Sequence, residues 1–483
     1  MKKTVFLIIL LFAGTVWAEP EFSDCRVTGS NGISQLQGEC AFVTVPEDRD
    51  IEGSREIALH IMRLKARARD VQSDPVFFIA GGPGQSATDG YLAEGGAFYF
   101  VRKQRDIILL DQRGTGQSNR MQCPEPETGL DIDAINAETR RAWITQCLSA
   151  LPGDPRLYTT LHAIEDLEHL RRELEYNQIN LYGISYGTRV ALAYLRAYPE
   201  NVRSVIIDGV VPMDLALGPN ISLEAQRALD NIFERCTTNT ACHDAFPDIR
   251  QSFYQLLERL REQHVNVSLR DPTTGEPIDI EFDDELLGGA LRLLSYQKES
   301  VSLMPLLIHQ ASVNNDFVPL AAQAIMVTKS IGEMIAYGMH NAVVCNEDVP
   351  FYGASAAQQA AMRNTYLGTM QFDVLVEICA QWPVYAVPET FKQALVSDKP
   401  VLLFSGELDP ITPPANGERA ARTLPNSLHV VAPGQGHGVA PRGCAPTIMA
   451  TFIEQASVND LDVSCIDTLQ SAPFFVRFSG PDP

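Results

Sequence analysis

Six short runs, apolar nearly throughout and each closing on glycine or aspartate, set the limits on what this chain can fold into. They are PVFFIAGG (Pro75 to Gly82), DIILLDQRG (Asp106 to Gly114), INLYG (Ile179 to Gly183), VRSVIIDG (Val202 to Gly209), PVLLFSGELD (Pro400 to Asp409) and SLHVVAPG (Ser427 to Gly434). A strand with one wet face alternates apolar and polar residues, whereas a strand covered on both faces has no reason to alternate. Helical periodicity lies between the runs. Ile164, Leu167, Leu170 and Leu174 mark one helix face, and Val190, Ala191, Leu195 and Tyr198 mark another that ends at Pro199. Strands and helices alternating in this way predict an α/β fold, a mainly parallel sheet flanked by helices.

From Met213 to Ser397 the texture changes, and amphipathic segments such as DIRQSFYQLLERLREQ (Asp248 to Gln263) dominate. Strand-like runs resume afterwards, so residues 213–397 read as a mostly helical cap inserted into a core made of residues 19–212 and 398–483. The amino-terminal pieces CAFVTVPED and EIALHIMRLKA alternate, which predicts antiparallel strands at the sheet's edge. The polar, proline-bearing stretches Pro124 to Gly129 and Asp271 to Pro277 read as surface loops.

Residues 1–18 carry Lys2 and Lys3, an apolar run from Val5 to Ala13, and small residues at the positions a signal peptidase reads before a cut after Ala18. The run is too short to span a bilayer, so the expectation is export to the periplasm or the medium without a membrane anchor. Ten cysteines, an even number, agree with an oxidising compartment. By proximity they couple as Cys25 with Cys40, Cys123 with Cys147, Cys236 with Cys242, Cys345 with Cys379 and Cys444 with Cys465. The segment CTTNTACHD, Cys236 to Asp244, is the one place that approaches zinc-ligand spacing, and a disulfide is preferred there. With 38 basic against 60 acidic side chains, the net charge of −22 repels nucleic acid and anionic lipid.

One run ends in Gly183-Ile184-Ser185-Tyr186-Gly187 and opens directly into a helical pattern. Gly-x-Ser-x-Gly alone is a weak signal, but a strand before it and a helix after it are the context a nucleophile elbow requires. A serine hydroxyl needs a base to take its proton and a carboxylate to orient that base. In chain order, Asp409 closes one strand and His437 follows another in GQGHGV, both at the edge where Ser185 lies. Glu407 is the substitute for Asp409; Asp409 stands ahead because it terminates the strand before Pro410. His429 sits within its strand and reads as a hydrogen-bonded core residue. The segment AGGPGQS, Ala80 to Ser86, supplies glycine N–H groups for an oxyanion. Gly82 is the candidate donor, with Gly81 next and the Tyr186 N–H as the second donor.

GGPGQS, DQRGTGQS, GISYG, SGELDPITPP and GQGHG together resemble the α/β-hydrolase family of proline iminopeptidases, and more closely the secreted tripeptidyl aminopeptidase branch of peptidase family S33. The resemblance covers nearly the whole chain after residue 18, including VVCNED and CAQWPV. One departure is Ala80, which stands where the iminopeptidase pattern begins with histidine. The resemblance implies an α/β-hydrolase fold with a helical cap, a TAP-like carboxyl-terminal region, and a serine aminopeptidase that needs neither metal nor organic cofactor. It implies peptide substrates with a free amino terminus, whose ammonium group is held by cap carboxylates. Glu347 and Asp348 are the candidates for that role, with Asp283, Asp284 and Glu285 behind them. For Arg113 in DQRG, a buried ion pair is expected rather than catalysis. The same triad without amine recognition would make a carboxylesterase or amidase, and the same fold without activity a binding protein.

Overall fold

The computed structural model describes residues 20–30, 32–124 and 137–481. The expected export signal, and the polar stretch from residue 125 on, lie outside the described residues. The strands are β1 (Ser23–Thr28), β2 (Gln35–Pro46), β3 (Glu56–Leu64), β4 (Val76–Ile79), β5 (Ile107–Leu110), β6 (Ile179–Ile184), β7 (Val202–Asp208), β8 (Val265–Arg270), β9 (Pro277–Phe282), β10 (Val401–Gly406) and β11 (Ser427–Ala432). Nine of them form one sheet in the order β1-β2-β3-β5-β4-β6-β7-β10-β11, and β8 pairs with β9 apart from it.

The six apolar runs are β4 to β7, β10 and β11, and every pairing among them is parallel. β4, β5, β6 and β10 are buried at every position, which is why their sequences do not alternate. Successive residues serve opposite faces: Phe77 and Ile79 join one hydrophobic core with Leu181 and Val190, while Phe78 joins another with Tyr91, Phe98 and Phe452. The alternating amino-terminal segments form the antiparallel edge, β1 on β2, β2 on β3 and β3 on β5.

Between β7 and β10 the chain is mostly helical, as expected, apart from the β8–β9 hairpin. The Asp271–Pro277 stretch read as a surface loop is the turn of that hairpin. Helices between Ile221 and Met334 close around a core of their own that includes Phe233, Phe253, Leu291 and Leu307. The helix Tyr337–Glu347 differs, since Met339, Ala342 and Val343 belong to the main core beside Val190 and Leu403. The inserted stretch is therefore divided between two cores.

Five disulfides join the five pairs expected from proximity. Cys236 and Cys242 are bonded to each other, so neither thiol is available as a metal ligand. Among the described residues, no helix is long and apolar enough to cross a membrane.

Candidate active site

Ser185 sits between β6 and the helix Tyr186–Ala197 at φ 56°, ψ −126°, a backbone conformation a non-glycine residue rarely adopts. The two flanking glycines make the turn possible. A Cβ on Gly183 would lie 2.3 Å from the Gly187 carbonyl oxygen, and one on Gly187 would lie 2.3 Å from that of Ile79. The turn thereby holds the serine side chain at the carboxyl edge of the sheet, at the first turn of a helix whose N–H groups lack intrahelical partners.

The sequence-predicted aspartate and histidine meet. His437 Nδ1 lies 2.8 Å from Asp409 Oδ2. Asp409 is fully buried, while the substitute Glu407 is exposed and accepts the Gly434 N–H at 2.8 Å in a turn. Burial disfavours charge on both members of the pair. The opposite charge of the partner and the shared hydrogen bond prevail, so Asp409 is held below the usual carboxylate range and His437 is raised, with Asp208 and Glu94 adding to the pull on the imidazole.

Two residues that sequence reasoning missed complete this arrangement. Thr412 donates its hydroxyl to Asp409 Oδ2 at 2.7 Å, and the Thr412 Oγ1 itself lies 3.0 Å from His437 Nδ1. With the Ile411 and Thr412 N–H groups on Oδ1, the carboxylate is fixed from three sides besides the imidazole. Asp208, at the end of β7, joins the two halves of the site. Its carbonyl accepts the Ser185 N–H at 2.9 Å, and its carboxylate accepts the N–H groups of Val439 and Ala440, just past His437. Burial pushes the Asp208 carboxyl up to about 6 despite those two N–H groups. Its one sequence trace is an aspartate closing the mostly apolar strand VRSVIID, whereas Asp409 lies three residues past the end of β10.

The histidine loop is also grasped by the inserted helices. The His437 N–H donates to the Tyr296 carbonyl at 2.8 Å, the two rings lie 5.3 Å apart edge to face, and Gln297 Nε2 donates to the His437 carbonyl at 3.2 Å. On the other side, the glycine loop approaches Ser185 so closely that a Cβ on Gly81 would be 3.0 Å from Ser185 Cβ. Gly82 follows at φ 106°, a conformation that suits glycine.

The structure does not bring Glu347 and Asp348 to this edge as amine ligands, and that expectation is corrected. Both are fully buried. Asp348 is paired with Arg189 through two bonds of 2.9 Å and with Lys392 at 2.9 Å, so its charge is already compensated inside the protein. Glu347 accepts the Thr160 N–H at 2.5 Å and the Thr160 hydroxyl at 2.7 Å; burial pushes its carboxyl up to about 7 although Arg189 lies 3.8 Å away. Asp284 and Glu285 instead line a 530 Å³ cavity with Asp373 and Glu377, and Asp283 caps the helix Asp284–Leu294. Arg113 is the buried ion pair expected, bound to Asp166 at 2.6 and 2.8 Å. His429 Nε2 lies 2.9 Å from the Ser405 hydroxyl.

Two family models match the chain: one described as alpha/beta hydrolase fold over residues 74–268, the other as TAP-like protein over residues 364–465. The putative hydrolase YuaR of Escherichia coli K12 is 24% identical over 468 residues, 92% of either chain. Serine protease Hip1 of Mycobacterium tuberculosis H37Rv is 24% identical over 455 residues, 84% of this chain and 83% of its own. The tripeptidyl aminopeptidase of Streptomyces lividans is 25% identical over 189 residues, 36% of this chain and 35% of its own.

Proposed function

For a chain that belongs to the α/β-hydrolase peptidases of the tripeptidyl-aminopeptidase type, and is a serine hydrolase, we propose that Ser185, His437 and Asp409 form the catalytic triad and that the enzyme releases residues from the free amino terminus of peptides. The observation that carries the triad is the 2.8 Å bond between His437 Nδ1 and Asp409, which leaves Nε2 as the nitrogen that exchanges protons with a substrate. Ser185 Oγ attacks the scissile carbonyl carbon as His437 takes its proton, and the Gly82 and Tyr186 N–H groups receive the oxyanion. His437 returns the proton to the leaving amine. Water then attacks the acyl-enzyme by the same route and frees Ser185. No step calls for a metal or an organic cofactor.

Recognition of a free ammonium needs carboxylates that a substrate reaches and that are not already paired in the core. On the cavity wall Glu285 meets that condition better than Glu347 and Asp348, whereas its neighbour Asp284 already accepts a bond from Arg261 at 3.2 Å. Their helix, Asp284–Leu294, leads to Tyr296 against His437. The inserted helices act in this reading as a lid over the triad, and the five disulfides support action outside the cytoplasm. Labelling the folded protein with a fluorophosphonate, digesting it and locating the adduct tests the nucleophile. The adduct is expected on the peptide bearing Ser185; labelling elsewhere, or none, would overturn the assignment.

A further inference from the structure

The helix Tyr337–Glu347 is buried over nine of its eleven residues, and the other two, Tyr337 and His340, lie one turn apart and are partly exposed. It spans about 16 Å at 1.5 Å per residue. Its two ends touch the two segments that carry the oxyanion donors. At the first end, the Ala336 N–H donates to the Gly84 carbonyl at 3.0 Å, and His340 Nδ1 lies 3.2 Å from the Pro83 carbonyl oxygen. Ile335 pairs with Gln85 in an antiparallel bridge, and its side chain covers the loop so closely that a Cβ on Gly82 would be 3.3 Å from its Cδ1.

At the other end, Asp348 holds Arg189, which is one turn beyond Tyr186 on the nucleophile helix. Glu347 holds Thr160, whose hydroxyl lies 2.8 Å from the Tyr186 phenol. Each end has a further anchor: the Gly338 N–H donates to the Met121 carbonyl at 2.8 Å, and Cys345 is bonded to Cys379.

We propose that this helix is a strut that sets the separation of the two oxyanion donors, with His340 and Ile335 positioning the Gly82 loop and the Glu347–Asp348 pair positioning the Tyr186 helix. The inference rests on Gly82 and Tyr186 being those donors. A loop with glycines at 81, 82 and 84 has little stiffness of its own, and an oxyanion donor works only when it is held at hydrogen-bond distance from where the charge develops. Burying acidic residues is costly, and carboxylates that join two catalytic segments give that burial a purpose in the core.

The test compares an ester with its thionoester, whose sulfur is a poor acceptor from N–H donors, in the parent enzyme, His340→Ala, His340→Asn and Ile335→Ala. The parent is expected to prefer the oxygen ester strongly. If it shows no preference, the oxyanion assignment fails, and the strut falls with it before any variant is considered. With the preference established, His340→Ala is expected to lower kcat on the ester about tenfold, to leave KM within about twofold, and to shrink the ester-to-thionoester ratio by a similar factor, a fraction of what losing a whole donor costs. His340→Asn puts an amide N–H in the place of Nδ1 and is expected to restore most of the ratio. Ile335→Ala, which loosens the loop without removing a hydrogen bond, is expected to shrink the ratio in the same direction. A fall in kcat with the ratio unchanged in both His340→Ala and Ile335→Ala would overturn the strut.

Discussion

Thr412 illustrates what a single residue adds to the proposed triad. Its hydroxyl is bonded to the same Asp409 oxygen that holds His437, so removing it loosens the carboxylate while leaving both triad members in place. Thr412→Val is expected to lower kcat by roughly ten- to a hundredfold, the rate equivalent of one hydrogen bond to a charged group, and Thr412→Ser to retain most activity. Asp409→Asn is expected to cost on the order of ten-thousand-fold in kcat, since the wrong imidazole tautomer results. Because the folded protein raises His437 above its ordinary 6.5, the basic form needed for attack appears only above that value, and the acidic limb of kcat/KM is expected there. Any stability that His437 protonation contributes is complete below 6.5 and is lost as pH rises through the raised value. Glu347 follows the same sign, from 4.5 unfolded to about 7 folded: its favourable term is complete below 4.5 and lost as pH passes 7. Glu347→Gln is therefore expected to gain on the parent between pH 5 and pH 8, by about 3 kcal/mol at most, as read from Tm at the two values.

At the scale of elements, legibility followed burial. β4, β5, β6 and β10 announced themselves because strands covered on both faces have no polar positions to confuse the pattern. β8 and β9 did not, since VNVSLR and PIDIEF are exposed at alternate positions and the polar turn between them outweighed their weak alternation. The elbow was legible from its glycines, and the structure gives the reason in distances. Gly187→Ala would set a methyl 2.3 Å from the Ile79 oxygen and is expected to destabilise the protein by about 3 kcal/mol or to prevent folding, as measured by thermal unfolding. The positions of Ser185, Asp409 and His437 past the ends of β6, β10 and β11 could be read because each follows an apolar run. Tyr296 and Gln297 could not, because their roles depend on which loops lie side by side, and the sequence carries no record of that; Thr412 differs, since it bonds Asp409 from only three residues away.

For the whole molecule, the surprise lies in the acidic pair of VVCNED. Acidic residues in a helical stretch ordinarily face water or a ligand, and nothing in the local sequence marks Glu347 and Asp348 as interior. Their partners Arg189, Lys392 and Thr160 come from three distant parts of the chain. The same long-range assembly divides the inserted stretch between two cores, whereas composition alone reads it as one cap. The five disulfides are sequence-local, so they staple individual segments, and the joining of sheet and insertion is left to contacts such as those of His437 with Tyr296 and of Arg189 with Asp348. The central claim is a serine peptidase that reads a free amino terminus, and hydrolysis of a matched chromogenic pair tests it most directly. The pair is a short alanyl or prolyl peptide amide with its amino terminus free and the same compound acetylated, each given to the parent enzyme and to Ser185→Ala. The account predicts cleavage of the free form alone, with Ser185→Ala reduced about a million-fold in kcat. Equal cleavage of both forms would contradict amine recognition, and cleavage that survives Ser185→Ala would contradict the triad itself.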